Sequence, residues 1–426
     1  MNIANDPRFA GIRPFEKKIW LASPTMHGDE EKWVSDAFAR NWITTAGENV
    51  NECERLIAEK LGCGYAVALA SGTGALHLAV RLAGEKLYGR PQSAEGTLRG
   101  HRVFCSDLTF AATVNPVAYE NGEAVFIDSE RDTWNMEPAA LERAFDAFPE
   151  VRLVVLVHLY GTPAKLDEIR AVCERHGALL VEDAAESLGA AYNGRQTGTF
   201  GNMSIISFNG NKIITGSSGG MFLTDDREAA DRVRKWSTQS REAAPWYQHE
   251  DIGFNYRMSN IVAGVVRGQL PHLGGHITAK KRIYERYRDG LADLPVRMNP
   301  FDGAKSEPNY WLSCMTVDET AMAQQLRSGC SFSYSSESGK SSPQEILDAL
   351  AAFNAEGRPI WKPMHMQPLY ENNTLVTSER VYRDRSGDET CVGADIFRRG
   401  LCLPSDNKMT AAEQDIIIDI IHRCFR

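Results

Sequence analysis

Several features that would assign the chain to a membrane or to an oxidising compartment are missing from its sequence. No stretch approaches the roughly 18 consecutive apolar residues of a membrane-spanning helix. The N-terminal "MNIANDPRFAGIRPFEKK" lacks the apolar core of a signal peptide. The nine cysteines are scattered and form no C-x-x-C pair, so neither a disulfide framework nor a zinc site is indicated. We therefore expect a cytoplasmic protein with reduced thiols, no bound metal and no membrane partner.

Excess positive charge and the common nucleotide-binding motifs are also missing. The formal net charge is −9 at pH 7, which argues against a nucleic acid as the main partner. The sequence has no G-x-G-x-x-G and no G-x-x-x-x-G-K-[ST] motif, so neither a dinucleotide site nor a P-loop is indicated. These absences leave room for a local pocket that binds a phosphate-bearing small molecule.

What the sequence does contain, up to about residue 270, is an alternation of short apolar runs with amphipathic helical patterns. Helical patterns such as "GALHLAVRLAGEKL" and "KLDEIRAVCERHG" lie between several of the runs. This alternation predicts an α/β fold, with a mostly parallel sheet and helices on both faces. The seven predicted strands are "YAVALA" (65–70), "RVFCSD" (102–107), "EAVFID" (123–128), "RLVVLVHL" (152–159), "ALLVED" (178–183), "MSIISF" (203–208) and "GGMFLT" (219–224).

Beyond about residue 276 the pattern changes. "KKRIYERYRDGLADL" predicts a helix, and "TAAEQDIIIDIIHRCF" predicts a final helix that begins at the N-cap Thr410, with Glu413 in the capping-box position. Between them lies the Ser-rich segment 328–342, "SGCSFSYSSESGKSS". It is predicted to be a solvated loop, because its composition offers little apolar surface to bury.

Residues able to do chemistry follow three of the predicted strands, where ligands of open parallel sheets bind. After strand 65–70, "SGTGAL" either binds a phosphate at a helix start or forms an ordinary capped turn. Asp183 ends strand 178–183, where it meets a ligand cation or caps a helix. Lys212 follows strand 203–208; a lysine held in a pocket can form a Schiff base, whereas an exposed one is only solvated.

Taken together, the three features fit one cofactor, pyridoxal phosphate. Its phosphate would lie on the helix start, its pyridinium nitrogen on the carboxylate of Asp183 and its aldehyde on Lys212. Each feature alone has an ordinary structural explanation, so the prediction depends on their combination.

Over nearly its whole length the sequence resembles the sugar-nucleotide aminotransferases of the DegT/StrS family, which have the aspartate-aminotransferase fold. The motifs that carry this resemblance include "SGTGALHLA", "TFAATVNPVAY", "VEDAAESLGA", "GTFGNMSIISFNGNK" and "GFNYRMSNIVAGV", in that order. Within the family the chain is most similar to the transaminases that act on UDP-4-keto-6-deoxy-N-acetylglucosamine in bacillosamine synthesis. That closer likeness lies in "EDAAES", "FNGNKIIT", "KWSTQSRE", "RPIWKPMH" and "GLCLPS".

The resemblance implies roles for the residues that hold the cofactor. Lys212 would bind it covalently and move the proton during transamination, and Asp183 would keep the pyridine nitrogen protonated. Gly72 and Thr73 would bind the phosphate through backbone and hydroxyl groups, with Ser207 as a further donor.

Four further residues receive roles from the same resemblance. Phe110 would stack on the cofactor ring, unless it only packs in the core. Glu186 stands where the wider family usually has Gln, although the bacillosamine branch also has Glu; it would hold or share a proton beside the phenolic oxygen. Asn255 would reach the cofactor phosphate across a dimer interface. Arg257 would reach the substrate phosphates or form an interface salt bridge.

The implied architecture is that of PLP fold type I. A large domain, residues 31–275, would carry a mostly parallel seven-stranded sheet and the cofactor. A smaller α+β C-terminal domain, residues 276–426, would pack with an N-terminal segment, residues 1–30. The role of Asn255 implies a homodimer with cofactor sites at the interface.

The implied reaction is transfer of an amino group from L-glutamate to C4 of a UDP-linked 4-keto-6-deoxy-N-acetylhexosamine, by a ping-pong mechanism through pyridoxamine phosphate. One alternative is amination of another nucleotide keto sugar, dTDP- or GDP-linked, at C3 or C4. A second is dehydration at C3, but relatives that dehydrate have His in place of the tethering lysine, and this chain has Lys212. A third is a non-catalytic PLP-binding regulatory protein.

Overall fold

The computed structural model describes residues 6–91, 96–328, 331–383 and 391–426. In these residues the chain forms α1 (Asp29–Ala39), α2 (Glu48–Leu61), α3 (Gly72–Tyr88), α4 (Asn115–Tyr119), α5 (Pro138–Ala147), α6 (Leu166–Arg175), α7 (Arg227–Trp236), α8 (Asn260–Gln269), α9 (Leu273–Gly290), α10 (Pro343–Ala352), α11 (Val392–Arg399) and α12 (Ala411–Cys424). None of the helices in the described ranges has the length and apolarity needed to cross a membrane.

The strands run from the N-terminal third of the chain to its end. They are β1 (Tyr65–Leu69), β2 (Arg102–Ser106), β3 (Glu123–Ile127), β4 (Leu153–Val157), β5 (Leu179–Asp183), β6 (Ala191–Tyr192), β7 (Arg195–Gln196), β8 (Met203–Ser207), β9 (Gly220–Thr224), β10 (Val296–Met298), β11 (Ser306–Glu307), β12 (Cys314–Val317), β13 (Gln325–Ser328), β14 (Ser331–Tyr334), β15 (Arg358–Pro359), β16 (Leu375–Val376), β17 (Val381–Tyr382) and β18 (Gly400–Cys402).

The large sheet contains all seven predicted strands. Its order is β1-β9-β8-β5-β4-β2-β3-β16-β17. Strands β3, β2, β4, β5 and β8 pair in parallel, whereas β9 pairs antiparallel with both β8 and β1. The structure adds β16 and β17, which extend the edge beyond β3. These strands have two residues each, too few for a periodic pattern to reveal them.

Helices cover both faces of this sheet, as the alternation of patterns predicts. Successive residues of β2 show the two faces: Val103 packs in a cluster with residues of α3 and α7, and Phe104 in a cluster with residues of α5 and α6. Both residues are fully buried. A strand buried on both faces reads as a continuous apolar run, which is why the sequence pattern located it.

A second, four-stranded sheet, β10-β12-β18-β15, lies in the C-terminal part of the chain. It packs in one hydrophobic cluster with residues of α9, α10 and α12. Phe9 and Ile19 from the N-terminal segment belong to the same cluster, and Ile19 forms a bridge with Ala355. At the last helix both halves of the predicted capping box are present, between Thr410 and Glu413.

The Ser-rich segment departs only in part from its prediction as a solvated loop: residues 331–340 are exposed or partly exposed, but the segment also contains β14 and two buried serines. Strands β13 and β14 form a hairpin there, and Ser341 and Ser342 are completely buried. Ser342 is the N-cap of α10, and the Ser341 hydroxyl donates to Glu345 at 3.0 Å. Local hydrogen bonds of this kind let serines be buried without apolar surface. Residues 329 and 330 lie outside the described residues.

Candidate active site

The carboxyl ends of the parallel strands surround a cavity of about 310 Å³. Residues at or just after the ends of β1, β2, β4, β5 and β8 line it, which is where open α/β sheets bind their ligands. Seven of the nine residues that the sequence assigns to the site line the cavity: Gly72, Thr73, Phe110, Asp183, Glu186, Ser207 and Lys212.

One end of the cavity is the N-terminus of α3. Ser71 is the N-cap, and its hydroxyl accepts the N–H of Gly74 at 2.9 Å. The N–H groups of Gly72 and Thr73 belong to the first turn of the helix, so they have no intrahelical acceptor. A Cβ on Gly72 would lie 2.8 Å from the Cβ of Ser207. Only glycine lets these two segments meet, and they leave a positively polarised helix end beside a hydroxyl group, which suits a phosphate.

Asp183, the last residue of β5, lies in the cavity and is 4% exposed. Its carboxylate accepts the hydroxyl of Thr113 at 2.7 Å and the N–H of Ala185 at 3.1 Å. Burial raises the pKa of the Asp183 carboxyl above its usual value, although these hydrogen bonds and the positive charge of Lys212 act in the opposite direction. Among the described residues no Lys, Arg or His forms an ion pair with Asp183. A ligand cation would supply the missing partner.

Lys212 and Glu186 lie side by side in the cavity lining and form an ion pair. The Nζ atom of Lys212 lies 3.5 Å from Oε1 of Glu186 and 4.0 Å from the centre of the Trp311 ring. The other carboxylate oxygen of Glu186 accepts the N–H of Tyr160 at 2.7 Å. Burial raises the pKa of Glu186, and the positive charge of Lys212 opposes that shift. A carboxyl with a raised pKa can carry the proton that the resemblance requires beside a phenolic oxygen.

Backbone strain occurs beside this pair. Tyr160 is not glycine, yet it has φ +52° and ψ +21°, and its side chain is buried. Its N–H reaches Glu186, and its hydroxyl accepts the backbone N–H of Trp361 at 2.9 Å. The strained residue therefore connects the carboxylate in the cavity to a segment much later in the chain.

Three aromatic residues border the cavity. Phe110 is half exposed at the rim and packs against Trp361, with ring centres 5.3 Å apart. Trp311 is buried, and its indole N–H donates to the carbonyl of Asn211 at 2.8 Å. Neither Trp311 nor Trp361 is among the site residues predicted from the sequence. Trp361 lies in "RPIWKPMH", which contributed only to the family resemblance, and no local pattern marks Trp311.

The remaining two predicted residues do not line the cavity of this chain. Arg257 donates from Nη1 to Glu54 at 2.6 Å and to the carbonyl of Ala68 at 3.0 Å. Asn255 is exposed, and its backbone forms a bridge with Thr238.

A separate buried group consists of Asp107, His365 and Cys391, whose potential ligand atoms lie within 4.8 Å of one another. In the structure Nδ1 of His365 is 2.7 Å from Oδ2 of Asp107. This is a hydrogen-bonding distance, and a direct hydrogen bond accounts for the contact without an ion, so no metal site is assigned to the group.

The residues of the cavity fit pyridoxal phosphate. The start of α3 offers donors for a phosphate, Asp183 is a buried carboxylate without a cationic partner among the described residues, and Lys212 offers a primary amine in the same cavity. Residues 24–422 match the DegT/DnrJ/EryC1/StrS aminotransferase family. The chain belongs to this family.

Individual members of the family resemble the chain over almost its whole length. EpsN of Bacillus subtilis (strain 168), provisionally named a pyridoxal phosphate-dependent aminotransferase, is 42% identical over 414 residues, 96% of each chain. The GDP-perosamine synthase of Caulobacter vibrioides is 32% identical over 402 residues, 94% of this chain and 96% of that one. The crystal structure of a DegT DnrJ EryC1 StrS aminotransferase from Brucella abortus has a TM-score of 0.77 and 26% identity, covering 92% of this chain and 94% of that one.

Membership of the DegT/DnrJ/EryC1/StrS aminotransferase family confirms three predictions. The fold is that of PLP fold type I, the enzyme is a PLP-dependent sugar aminotransferase, and its cofactor is pyridoxal phosphate.

Proposed function

We propose that the chain transfers an amino group from L-glutamate to C4 of a UDP-linked 4-keto-6-deoxy-N-acetylhexosamine, with pyridoxal phosphate bound in the cavity described above. One observation carries this proposal: Lys212, Asp183 and the start of α3 line the same cavity. They match the aldehyde, the ring nitrogen and the phosphate of one cofactor. The motifs "RPIWKPMH" and "GLCLPS" support the choice of a UDP-linked sugar through the resemblance to the bacillosamine branch.

The first step is to hold the cofactor. Gly72 and Thr73 bind the phosphate with the N–H groups of the first helical turn, and Ser207 adds a hydroxyl. Phe110, at the rim, covers the ring. Asp183 binds the protonated ring nitrogen, and that positive charge compensates the burial of the carboxylate.

The second step is to move protons. When bound, pyridoxal phosphate supplies a ring that accepts electrons from the substrate carbon. Lys212 would hold the cofactor at its aldehyde, and its amine would accept and return the substrate proton. Glu186 holds a proton beside the phenolic oxygen, and the buried ring of Trp311 keeps water away from Nζ of Lys212.

We further propose a homodimer with cofactor sites at its interface. Asn255 is exposed and does not line the cavity of its own chain, so it is free to reach the phosphate site of a neighbour. Arg257 would take part in substrate binding only by exchanging its ion pair with Glu54 for the substrate's phosphates.

The proposed domain boundaries are 1–30, 31–275 and 276–426. The packing of Phe9 and Ile19 against the C-terminal cluster supports assigning the N-terminal segment to the smaller domain. Strands β16 and β17 depart from a simple division, because they come from the C-terminal part and pair with the large sheet.

A second candidate is amination of a GDP-linked keto sugar. It is favoured by the 32% identity, over 94% of this chain, to a protein named GDP-perosamine synthase. The chemistry would use the same residues, and only the nucleotide and the sugar would differ.

Mass spectrometry of the reaction mixture tests the proposal. Purified protein loaded with pyridoxal phosphate is incubated with L-glutamate and UDP-4-keto-6-deoxy-N-acetylglucosamine, and a parallel sample contains a GDP-linked 4-keto-6-deoxy sugar. Lys212→Ala is the control. We expect a UDP-amino sugar from the wild type alone. A product only from the GDP-linked sugar would move the assignment to the second candidate. No turnover of glutamate by the wild type would favour the non-catalytic alternative.

A further inference from the structure

A short chain of hydroxyl groups lies behind Asp183. Thr113 ends a 3-10 turn, Ala111–Thr113, and its side chain is 1% exposed. Its hydroxyl lies 2.7 Å from Oδ2 of Asp183 and 2.6 Å from the hydroxyl of Thr109, which is completely buried. Both threonines line the cavity. Sequence reasoning passed over them, although "TFAAT" contributed Phe110.

The direction of the hydrogen bonds follows from counting protons. An ionised carboxylate can only accept, so the single hydroxyl proton of Thr113 is donated to Asp183. Thr113 has no second proton, so Thr109 is the donor in the bond between the two hydroxyls. The chain of hydrogen bonds therefore runs from Thr109 to Thr113 to Asp183. Each donated bond strengthens the next one in a buried site.

The charged groups around Asp183 partly cancel one another. The hydrogen bond from Thr113 therefore contributes a large share of the stabilisation of the ionised Asp183 carboxylate. Lys212 contributes a favourable positive charge, and Glu186 an unfavourable negative one when it is ionised. Nδ1 of His158 accepts the N–H of Ala164 at 3.1 Å, so this ring nitrogen carries no proton. Of the hydrogen bonds to the carboxylate that the structure gives, the one from Thr113 is the only one from a side chain among the described residues.

We propose that Thr113, with Thr109 behind it, is a positioning residue that holds the Asp183 carboxylate ionised and oriented towards the cofactor's ring nitrogen. The inference rests on the proposed role of Asp183. Without the hydroxyl of Thr113, burial would protonate the carboxyl at a higher pH, and an uncharged carboxyl binds a cationic ring poorly.

The test measures the affinity of the apoprotein for pyridoxal phosphate as a function of pH, by quenching of tryptophan fluorescence. Thr113→Val removes the hydroxyl with little change of shape, Thr113→Ser keeps it, and Thr109→Val removes only the donor behind it. We expect the acidic limb of the affinity profile to move up by about one pH unit in Thr113→Val, which is about tenfold weaker binding on that limb. Thr109→Val should give a smaller shift in the same direction, and Thr113→Ser a wild-type profile.

Two results would overturn the inference. One is an unshifted profile for Thr113→Val in a folded apoprotein with the wild-type melting temperature. The other is a shift in Thr113→Ser as large as that in Thr113→Val, because that would trace the effect to packing. If Thr113→Val does not fold, the affinity profile of Thr109→Val is the deciding measurement. An unshifted profile for that variant contradicts the proposed chain of hydrogen bonds from Thr109 through Thr113 to Asp183. Failure of the wild type to bind pyridoxal phosphate would instead refute the proposed function itself.

Discussion

Two buried carboxylates of this protein have opposite electrostatic surroundings. Glu120, just after α4, is 2% exposed and accepts hydrogen bonds from His77 at 2.9 Å, from Arg81 at 3.0 Å and from the backbone and hydroxyl of Thr97 at 2.7 and 3.0 Å. Burial acts to raise the pKa of Glu120, but these partners outweigh it and lower the value to about 2. Asp183 is equally buried, yet its pKa is raised.

The difference distinguishes a structural carboxylate from one prepared for a ligand. Glu120 has charged and neutral donors on both oxygens, so nothing remains for a ligand to add. Asp183 has Thr113 and one backbone N–H, and it faces a cavity. A buried charge without a partner is costly unless something else binds to it. In this protein that cost falls on Asp183, the carboxylate that we propose binds the cofactor's protonated ring nitrogen.

Asp183→Asn should have the largest effect on the rate of transamination. We expect the transamination rate to fall by about 100- to 1,000-fold, because the amide cannot hold the ring nitrogen protonated. The free energy of unfolding of the apoprotein should not fall, since the variant removes a charge that burial disfavours. Steady-state kinetics and urea denaturation measure the two quantities. A destabilised apoprotein would contradict the view of Asp183 as an uncompensated charge.

Glu120→Gln should show the reverse behaviour. The variant leaves the guanidinium of Arg81 buried without its counter-charge, so we expect a loss of about 3 kcal/mol in the free energy of unfolding. The rate per folded molecule should change by less than about threefold, since Glu120 does not line the cavity. Urea denaturation with parallel kinetics checks this. Loss of activity in a stably folded variant would contradict the view of Glu120 as a purely structural carboxylate.

The contribution of Glu120 also has a defined pH window. Its pKa is lowered from 4.5 to about 2, so its ionised form stabilises the fold above about pH 4.5. This stabilisation is lost as the pH falls from 4.5 towards 2. The difference in melting temperature between wild-type and Glu120→Gln apoprotein should therefore shrink across this window. A difference in melting temperature that stays constant with pH would contradict a stabilising role for the ionised form of Glu120.

Glu186→Gln should have the smallest effect. Gln keeps an acceptor for the N–H of Tyr160, so we expect a rate within about tenfold of wild type. The change should appear mainly in the pH–rate profile, because the titrating group whose pKa burial raises is gone. A profile identical to that of the wild type would show that Glu186 does not take part in proton transfer.

The sequence predicted most of what lies along single strands and at their ends. Buried parallel strands form continuous apolar runs, and a loop directly after such a run faces the ligand edge of the sheet. Asp183 and Lys212 could be found for this reason, and Gly72 with Thr73 by the helix that follows. The family resemblance added Phe110 and Glu186.

What the sequence did not predict are contacts between distant segments. Thr113 and Asp183 are 70 residues apart, Trp311 and Asn211 are 100 apart, and Trp361 and Tyr160 are 201 apart. No local period encodes such a pair, because the fold alone brings the two residues together. These contacts form the layer that surrounds the predicted cofactor site.

The most direct test of the central claim is to locate the lysine that binds the cofactor. The protein loaded with pyridoxal phosphate is reduced with borohydride, digested and mapped by mass spectrometry. We expect the reduced cofactor on the peptide that contains Lys212, and no modified peptide from Lys212→Ala. Modification of another lysine, such as the buried Lys280, with Lys212 unmodified would show that Lys212 does not bind the cofactor.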